Sequence, residues 1–263
     1  MKNYTDVVFG VELRIASTLG EKEGIPLLIF NGIGSSLQIL ENIMEELSVP
    51  CIAFDMPGVG ESPIRFLGGR MKGFANIGLN VIDKLGIDTV DVMGISWGGG
   101  VAQEFAKRNS ARTRKLILAA TSMGQVMIPP SPLVLMLMAS PVRHMSSRYF
   151  KMIAATIYGG DFRKNPELVK KHAGKMVAPS ILGYVQQLLA IGGWTSAFWL
   201  HKLKQQTLVM AGTDDPVIPL MNAKIMANRI PNARLETFDC GHLFILTRSE
   251  KTINTMESFL AVS

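Results

Sequence analysis

Short apolar runs alternate along the chain with longer stretches whose apolar residues recur every three or four positions. PLLIF (26–30), CIAFD (51–55), VDVMGI (90–95), KLILAAT (115–121) and TLVMAG (207–212) are strand-length runs with little polar interruption. That is the pattern of strands covered on both faces, and LETFD (235–239) reads as another. Between them, SSLQILENIMEEL puts Leu37, Leu40, Met44 and Leu47 on one helical face, with Ser35 and Gln38 as a capping-box start. The C-terminal RSEKTINTMESFL does the same with Ile253, Met256 and Leu260. Strands alternating with amphipathic helices predict an α/β fold, a mostly parallel sheet flanked by helices.

Two segments depart from that alternation. YTDVVFGVELRIAS, at the start, reads as an antiparallel pair preceding the parallel part. From Met123 to Leu200 the strands stop, and the chain is proline-punctuated, basic and rich in methionine (123, 127, 136, 138, 145, 152, 176). A structureless loop of that length is implausible in a compact domain, so the stretch is expected to be an inserted helical lid. The predicted organisation is a core from residues 1–122, a lid or cap from 123–200, and the rest of the core from 201–263.

Composition narrows the class. Hydrophobic residues make up 48% and charged residues 18% of 263, as in a globular enzyme and unlike a disordered chain. The N-terminus, MKNYTDVVFGVEL, lacks an apolar signal core, which points to a cytoplasmic protein. PLVLMLMA (132–139) is too short to span a bilayer, so no transmembrane segment is expected. Cys51 and Cys240 lack metal-ligand spacing and read as reduced, packed thiols, and no metal or cofactor is indicated.

The net charge of +6 is localised. Arg143, Arg148, Lys151, Arg163, Lys164, Lys170, Lys171 and Lys175 face only Asp161 and Glu167 between residues 143 and 175, so this segment carries the whole excess. No aromatic platform or reading motif accompanies it, which argues against nucleic acid and for a solvated basic face.

Candidate chemistry lies at the ends of the predicted strands. In DVMGISWGGG, Ser96 stands between Gly94 and Gly98 where VDVMGI meets a helix. A strand–serine–helix turn needs tiny residues on both sides and presents the hydroxyl at the carboxyl edge of the sheet. A serine is a poor nucleophile without a base. TLVMAG runs into TDDPVIP, and LETFD into CGHLF, so an acid and then His242 follow at successive strand ends. Of the two acids, Asp215 is favoured over Asp214 because it immediately precedes the turning proline. The order Ser96, Asp215, His242 is that of a serine-hydrolase triad. Asn31-Gly32-Ile33-Gly34 after PLLIF predicts an oxyanion hole from the backbone N–H groups of Ile33 and Trp97. His144, His172 and His201 are expected to be lid or surface histidines.

The chain also resembles the bacterial intracellular depolymerases of medium-chain poly(3-hydroxyalkanoates), within the α/β-hydrolase superfamily. The resemblance runs through LLIFNGIG (27–34), IAFDMPGVGES (52–62), GISWGG (94–99), TIYGGDFRKNPEL (156–168), GGWTSAFWLHK (192–202), AGTDDPVIPL (211–220) and GHLFILTR (241–248). It departs at Thr213 and Cys240, where acidic residues are expected, and in a shortened segment after Ser62. It implies Ser96 as nucleophile, His242 as base, Asp215 as acid, an ester substrate and no cofactor. The methionines of the lid suit alkyl side chains of variable length, and its basic face would meet the anionic coat of a polymer granule. Other readings remain open: a carboxylesterase or lactonase of small soluble esters, an acyltransferase, or a non-catalytic binding protein on the same scaffold.

Overall fold

β1 (Lys2–Val8) and β2 (Val11–Ser17) form an antiparallel hairpin, and β2 then pairs antiparallel with β4 (Cys51–Phe54). β3 (Leu27–Phe30), β4, β5 (Val90–Ile95), β6 (Thr113–Ala119), β7 (Gln206–Gly212) and β8 (Ala233–Phe238) are parallel. The sheet order is β1-β2-β4-β3-β5-β6-β7-β8. This computed structural model describes residues 1–66, 70–174 and 176–261. Lys175 of the basic segment, and residues 67–69 of the segment after Ser62, lie outside the described residues.

The two-residue period of the strands divides them between two cores. Leu28 and Phe30 of β3, Val92 of β5, Leu116 and Leu118 of β6 and Val209 of β7 share one face. Their neighbours Leu27, Ile29, Met93, Ile117, Leu208 and Met210 share the other. Each such side chain, wholly removed from water, contributes on the order of 1.5–3 kcal/mol. Phe74 of α2 (Met71–Lys84) and Phe105 of α3 (Trp97–Arg108) belong to the first core. Met44 of α1 (Glu41–Glu46) belongs to the second.

The helix predicted from Ser35 begins differently. Leu37–Ile39 is a 3-10 turn, α1 follows only at Glu41, and no side-chain cap forms at Ser36. Tertiary bonds replace the capping box: the Leu37 N–H donates to Asp55 Oδ1 at 2.7 Å, and Asn31 Nδ2 donates to the carbonyls of Ser35 and Ser36. The four predicted apolar positions are nevertheless all buried.

Between β6 and β7 the described residues form no strand but a run of helices: α4 (Pro132–Ala139), α5 (Val142–Met145), α6 (Ser147–Tyr158), α7 (Asp161–Lys164), α8 (Pro166–Ala173) and α9 (Ile181–Gly192). They hold a small core of their own around Phe150, Ile157, Tyr158 and Phe162. Among the described residues no helix is long and apolar enough to cross a membrane. The basic segment is not one solvated face. Arg143 is 1% exposed, its guanidinium bonded to the Met138 carbonyl and the Tyr184 hydroxyl, and Arg163 pairs with Asp214. α10 (Leu220–Arg229), α11 (Phe244–Thr247) and α12 (Ser249–Ala261) complete the fold, with Ile253, Met256 and Leu260 of α12 buried as predicted.

The chain leaves β3 toward β4 on one side and β5 toward β6 on the other. At such a switch point a crevice opens outside the carboxyl ends of the two strands. The loops beginning at Asn31 and Ser96 border it.

Candidate active site

Ser96 has φ 52 and ψ −118, a backbone conformation that non-glycine residues rarely hold and that costs on the order of 1–3 kcal/mol. Close packing enforces it. A Cβ on Gly94 would lie 2.3 Å from the Gly98 carbonyl oxygen, and one on Gly98 would lie 2.2 Å from that of Phe30. Only glycines let α3 start against the strand ends. The Ser96 N–H donates to the Ala119 carbonyl at 2.8 Å, which fixes the turn on β6.

Asp215 follows β7 and His242 follows β8. Asp215 Oδ1 accepts the N–H groups of Val217 and Ile218, both at 2.9 Å, which leaves Oδ2 for His242 Nδ1 at 2.7 Å. An ionised carboxylate only accepts, so Nδ1 carries the proton and Nε2 is left to accept from Ser96 Oγ at 3.1 Å. The His242–Asp215 contact is sealed from water, the side chains being 4% and 1% exposed. Asp214 takes no part: its carboxylate accepts from Arg163 and from the Gly160 N–H.

Across from Ser96, Asn31 Oδ1 accepts the Gly32 N–H and stiffens the glycine-rich turn. The Gly34 N–H donates to Gln187 Oε1 of α9 at 2.8 Å, and the Trp97 indole N–H donates to the Gln187 carbonyl at 2.9 Å. Among the described residues the backbone N–H groups of Ile33 and Trp97 donate to no protein acceptor. Both residues border the space at Ser96, with Trp97 at the positive end of α3.

The cavity over Ser96 and His242, about 60 Å³, is walled on the insertion side by Arg143, His144, Tyr158 and His172. His144 and His172 are on insertion helices, as expected of lid histidines, but α5 and α8 also bring both rings to this cavity, while His201 is exposed. Burial first, then the charges of Arg143 and His172, pushes His144 down to about 3 and keeps its ring neutral. The Tyr158 ring stacks on His242 at 6.1 Å and its carbonyl accepts the His242 N–H at 2.8 Å.

Nothing in the spacing of these residues announced them, although one signal was present in TIYGGDFR. Gly159 and Gly160 have φ 62 and 48, and a Cβ on Gly160 would lie 2.0 Å from the Gly241 nitrogen. Paired glycines in a helical insertion mark where it touches the His242 loop. Cys240 is buried as expected, but its sulfur lies 3.3 Å from an Asp161 oxygen and 3.0 Å from Thr247 Oγ1, a polar setting rather than an apolar one.

Known proteins share this fold and much of this sequence. The family model for the alpha/beta hydrolase fold matches residues 25–249. The chain is 47% identical over 250 residues to a poly(3-hydroxyalkanoate) depolymerase of Ectopseudomonas oleovorans, covering 94% of this chain and 88% of that one. It is 30% identical over 210 residues to a pimeloyl-[acyl-carrier protein] methyl ester esterase of Aromatoleum aromaticum, covering 74% and 81%. The crystal structure of the enol-lactonase from Burkholderia xenovorans LB400 superposes with a TM-score of 0.84 at 20% identity, over 98% of this chain and all of that one. With the family model spanning most of its length, the chain belongs to the α/β-hydrolase family.

Proposed function

We propose that the protein hydrolyses the ester bonds of a poly(3-hydroxyalkanoate), of medium side-chain length, through an acyl-enzyme on Ser96. The observation that carries the reading is His242, hydrogen-bonded at once to Ser96 Oγ and to Asp215. The relative at 47% identity supports the substrate class. His242 Nε2 takes the Ser96 proton as Oγ attacks the ester carbonyl, and Asp215 stabilises the imidazolium. The Ile33 and Trp97 N–H groups hold the oxyanion. His242 then protonates the departing alkoxide, and water repeats the sequence on the acyl-enzyme. Residues 123–200 act as the lid over this site, and its neutral His144, apolar methionines and Tyr158 exclude water from the acyl-enzyme.

A second reading, a carboxylesterase or lactonase of small soluble esters, is favoured by the small volume at Ser96, about 60 Å³. Turbidity of amorphous medium-chain polyhydroxyalkanoate granules, followed beside hydrolysis of p-nitrophenyl butyrate and octanoate, separates the two. Clearing together with ester hydrolysis is expected, both falling roughly a million-fold in Ser96→Ala. Ester hydrolysis without clearing would leave the small-ester reading; clearing untouched in Ser96→Ala would remove the mechanism. Granule association through the exposed Arg148, Lys151, Lys164, Lys170 and Lys171 is part of the proposal. Retention on native granules should then weaken as salt screens those charges, and retention indifferent to salt would discard that part.

A further inference from the structure

Ser96 lies at the junction of two dissimilar cavities. One, described above, is walled by His242, Arg143, His144 and His172. Beside it lies a cavity of about 180 Å³ between α1, α8 and α11, and Ile39, His172, Ile245 and Leu246 line both. The other is about 160 Å³, and among the described residues no ionisable side chain lines it: Met127, Leu135, Met138, Leu188 and Ile191 surround it beside Ser96 and Trp97.

The position of His242 orients a substrate between them. The imidazole that protonates the leaving oxygen must stand beside it, so the alcohol half of the ester belongs in the cavity His242 borders. The acyl half is left with the apolar one. In a chain of 3-hydroxyacyl units the alcohol half is the half that runs to the free carboxylate.

Arg143 stands on that same side. It is 1% exposed, yet among the described residues its guanidinium pairs with no carboxylate. Its donors go to neutral oxygens: the carbonyls of Met138 and Ser140 at 2.8 and 3.3 Å, and the Tyr184 hydroxyl, while Nε has no partner. Burial keeps that tyrosine protonated, raising its pKa, and His144 beside it is neutral. The carbonyl end of α4 offsets part of the charge. A buried cation without an anion is costly unless a ligand supplies one. The adjoining cavity adds Lys171 on its rim, opposed by Glu46.

We propose that Arg143 is the counter-charge for a substrate carboxylate, so that the enzyme takes the carboxylate end of a polyester chain into the imidazole-walled cavities and its acyl side chain into the apolar one. The inference rests on the ester-hydrolase reading above. The position of Arg143 and that of His242 are independent observations, and both assign the same chain direction.

The test compares a 3-hydroxyoctanoate dimer and trimer, each as free acid and as methyl ester, at neutral pH. The wild type is expected to cleave one or both acids with a kcat/KM about 10- to 100-fold above the matching methyl ester, the range for a hydrogen bond to a charged group. In Arg143→Met that ratio should fall to about one, and Arg143→Lys should restore much of it. Equal rates on acid and ester in the wild type, or a ratio unchanged in Arg143→Met, would overturn the inference alone. Failure to cleave any of the four would sink the polyester reading and the inference with it. Should Arg143→Met not fold, the wild type still decides. Free 3-hydroxyoctanoate must inhibit p-nitrophenyl butyrate hydrolysis more strongly than its methyl ester does, and equal inhibition overturns the proposal. In Leu135→Trp, which narrows the apolar cavity from an exposed helix position, octanoate hydrolysis should fall against butyrate. An unchanged preference would remove the acyl assignment.

Discussion

Ser96, Asp215 and His242 stand at three strand ends of the sheet, whereas Arg143, His144, Tyr158 and His172 come from helices of the insertion, and the two groups meet around one cavity. On the sheet side each position follows from local geometry. A strand must end there, and a short tight loop must turn its functional group toward the crevice. On the insertion side no local rule applies. Arg143 reaches the cavity because α5 packs against α9, and His172 because α8 packs under Phe150, Tyr158 and Phe162. Chemistry that depends on the strand ends is thus fixed by the fold, and what the cavity accepts is set by packing.

The sharpest way to test that division uses two adjacent carboxylates. Asp215 holds His242, while Asp214 ties the core to the insertion through Arg163 and Gly160. Asp215→Asn should lower kcat by about 10⁴-fold, through the wrong imidazole tautomer. Asp214→Asn should leave kcat within a few-fold and cost at most about 1 kcal/mol, as for an exposed pair. Initial rates on p-nitrophenyl octanoate with urea midpoints measure both. Equal kinetic losses would erase the distinction between strand-end chemistry and seam.

The same division explains what could be read in advance. The strands, the hairpin, the helical character of the insertion and the placing of Ser96, Asp215 and His242 at successive strand ends were legible, because period-two runs and glycine-flanked turns are local signals. The start of the first helix was misread because its Leu37 N–H is met by Asp55, which comes later in the chain, while Asn31 donates to the Ser35 and Ser36 carbonyls just before it. Arg143 looked like a solvated cation because nothing nearby in the chain shows that Tyr184 lies over it. His144 and His172 were passed over for the same reason.

A smaller effect contrasts the two regions through pH. His144 in the insertion is pushed down to about 3 by burial and by its cationic neighbours. The unfolded chain therefore takes up a proton below about 6.5 that the folded one refuses. The stability from His144 is complete above that pH and is lost as pH falls toward 3. Asp55 in the core is pushed up to about 6, mainly by burial, and acts in the opposite sense. Its contribution is complete below about 4 and is lost as pH rises through 6. The two offset each other, so wild-type stability should vary little between pH 4 and 6. His144→Phe keeps a ring against Tyr184 without the titration. Between pH 7 and 4 its stability should rise relative to the wild type by roughly 3 kcal/mol. Parallel denaturation curves across that range would show that the ring is not held neutral, and would remove the dry wall proposed around the acyl-enzyme.

At the seam itself the two regions meet through close backbone contact. Gly160 has φ 48, strained for any side chain, and a Cβ there would meet the Gly241 nitrogen at 2.0 Å. Gly241 answers it, since its own Cβ would lie 1.9 Å from the Tyr158 carbonyl oxygen, the acceptor of the His242 N–H. Gly160→Ala must move the insertion away from the His242 loop or shift the loop. Strain of this kind costs about 1–3 kcal/mol. A displacement near 1 Å at a catalytic group costs up to about 100-fold in rate. Gly174→Ala is the matched control, because its nearest atom would be 3.6 Å away and its φ is −73. There alanine should be neutral or stabilising by a few tenths of a kcal/mol, with kcat unchanged. If Gly160→Ala loses stability but keeps full kcat, the insertion is merely attached to the core. If kcat falls further than stability accounts for, the position of His242 depends on Tyr158, and the two regions form one catalytic unit.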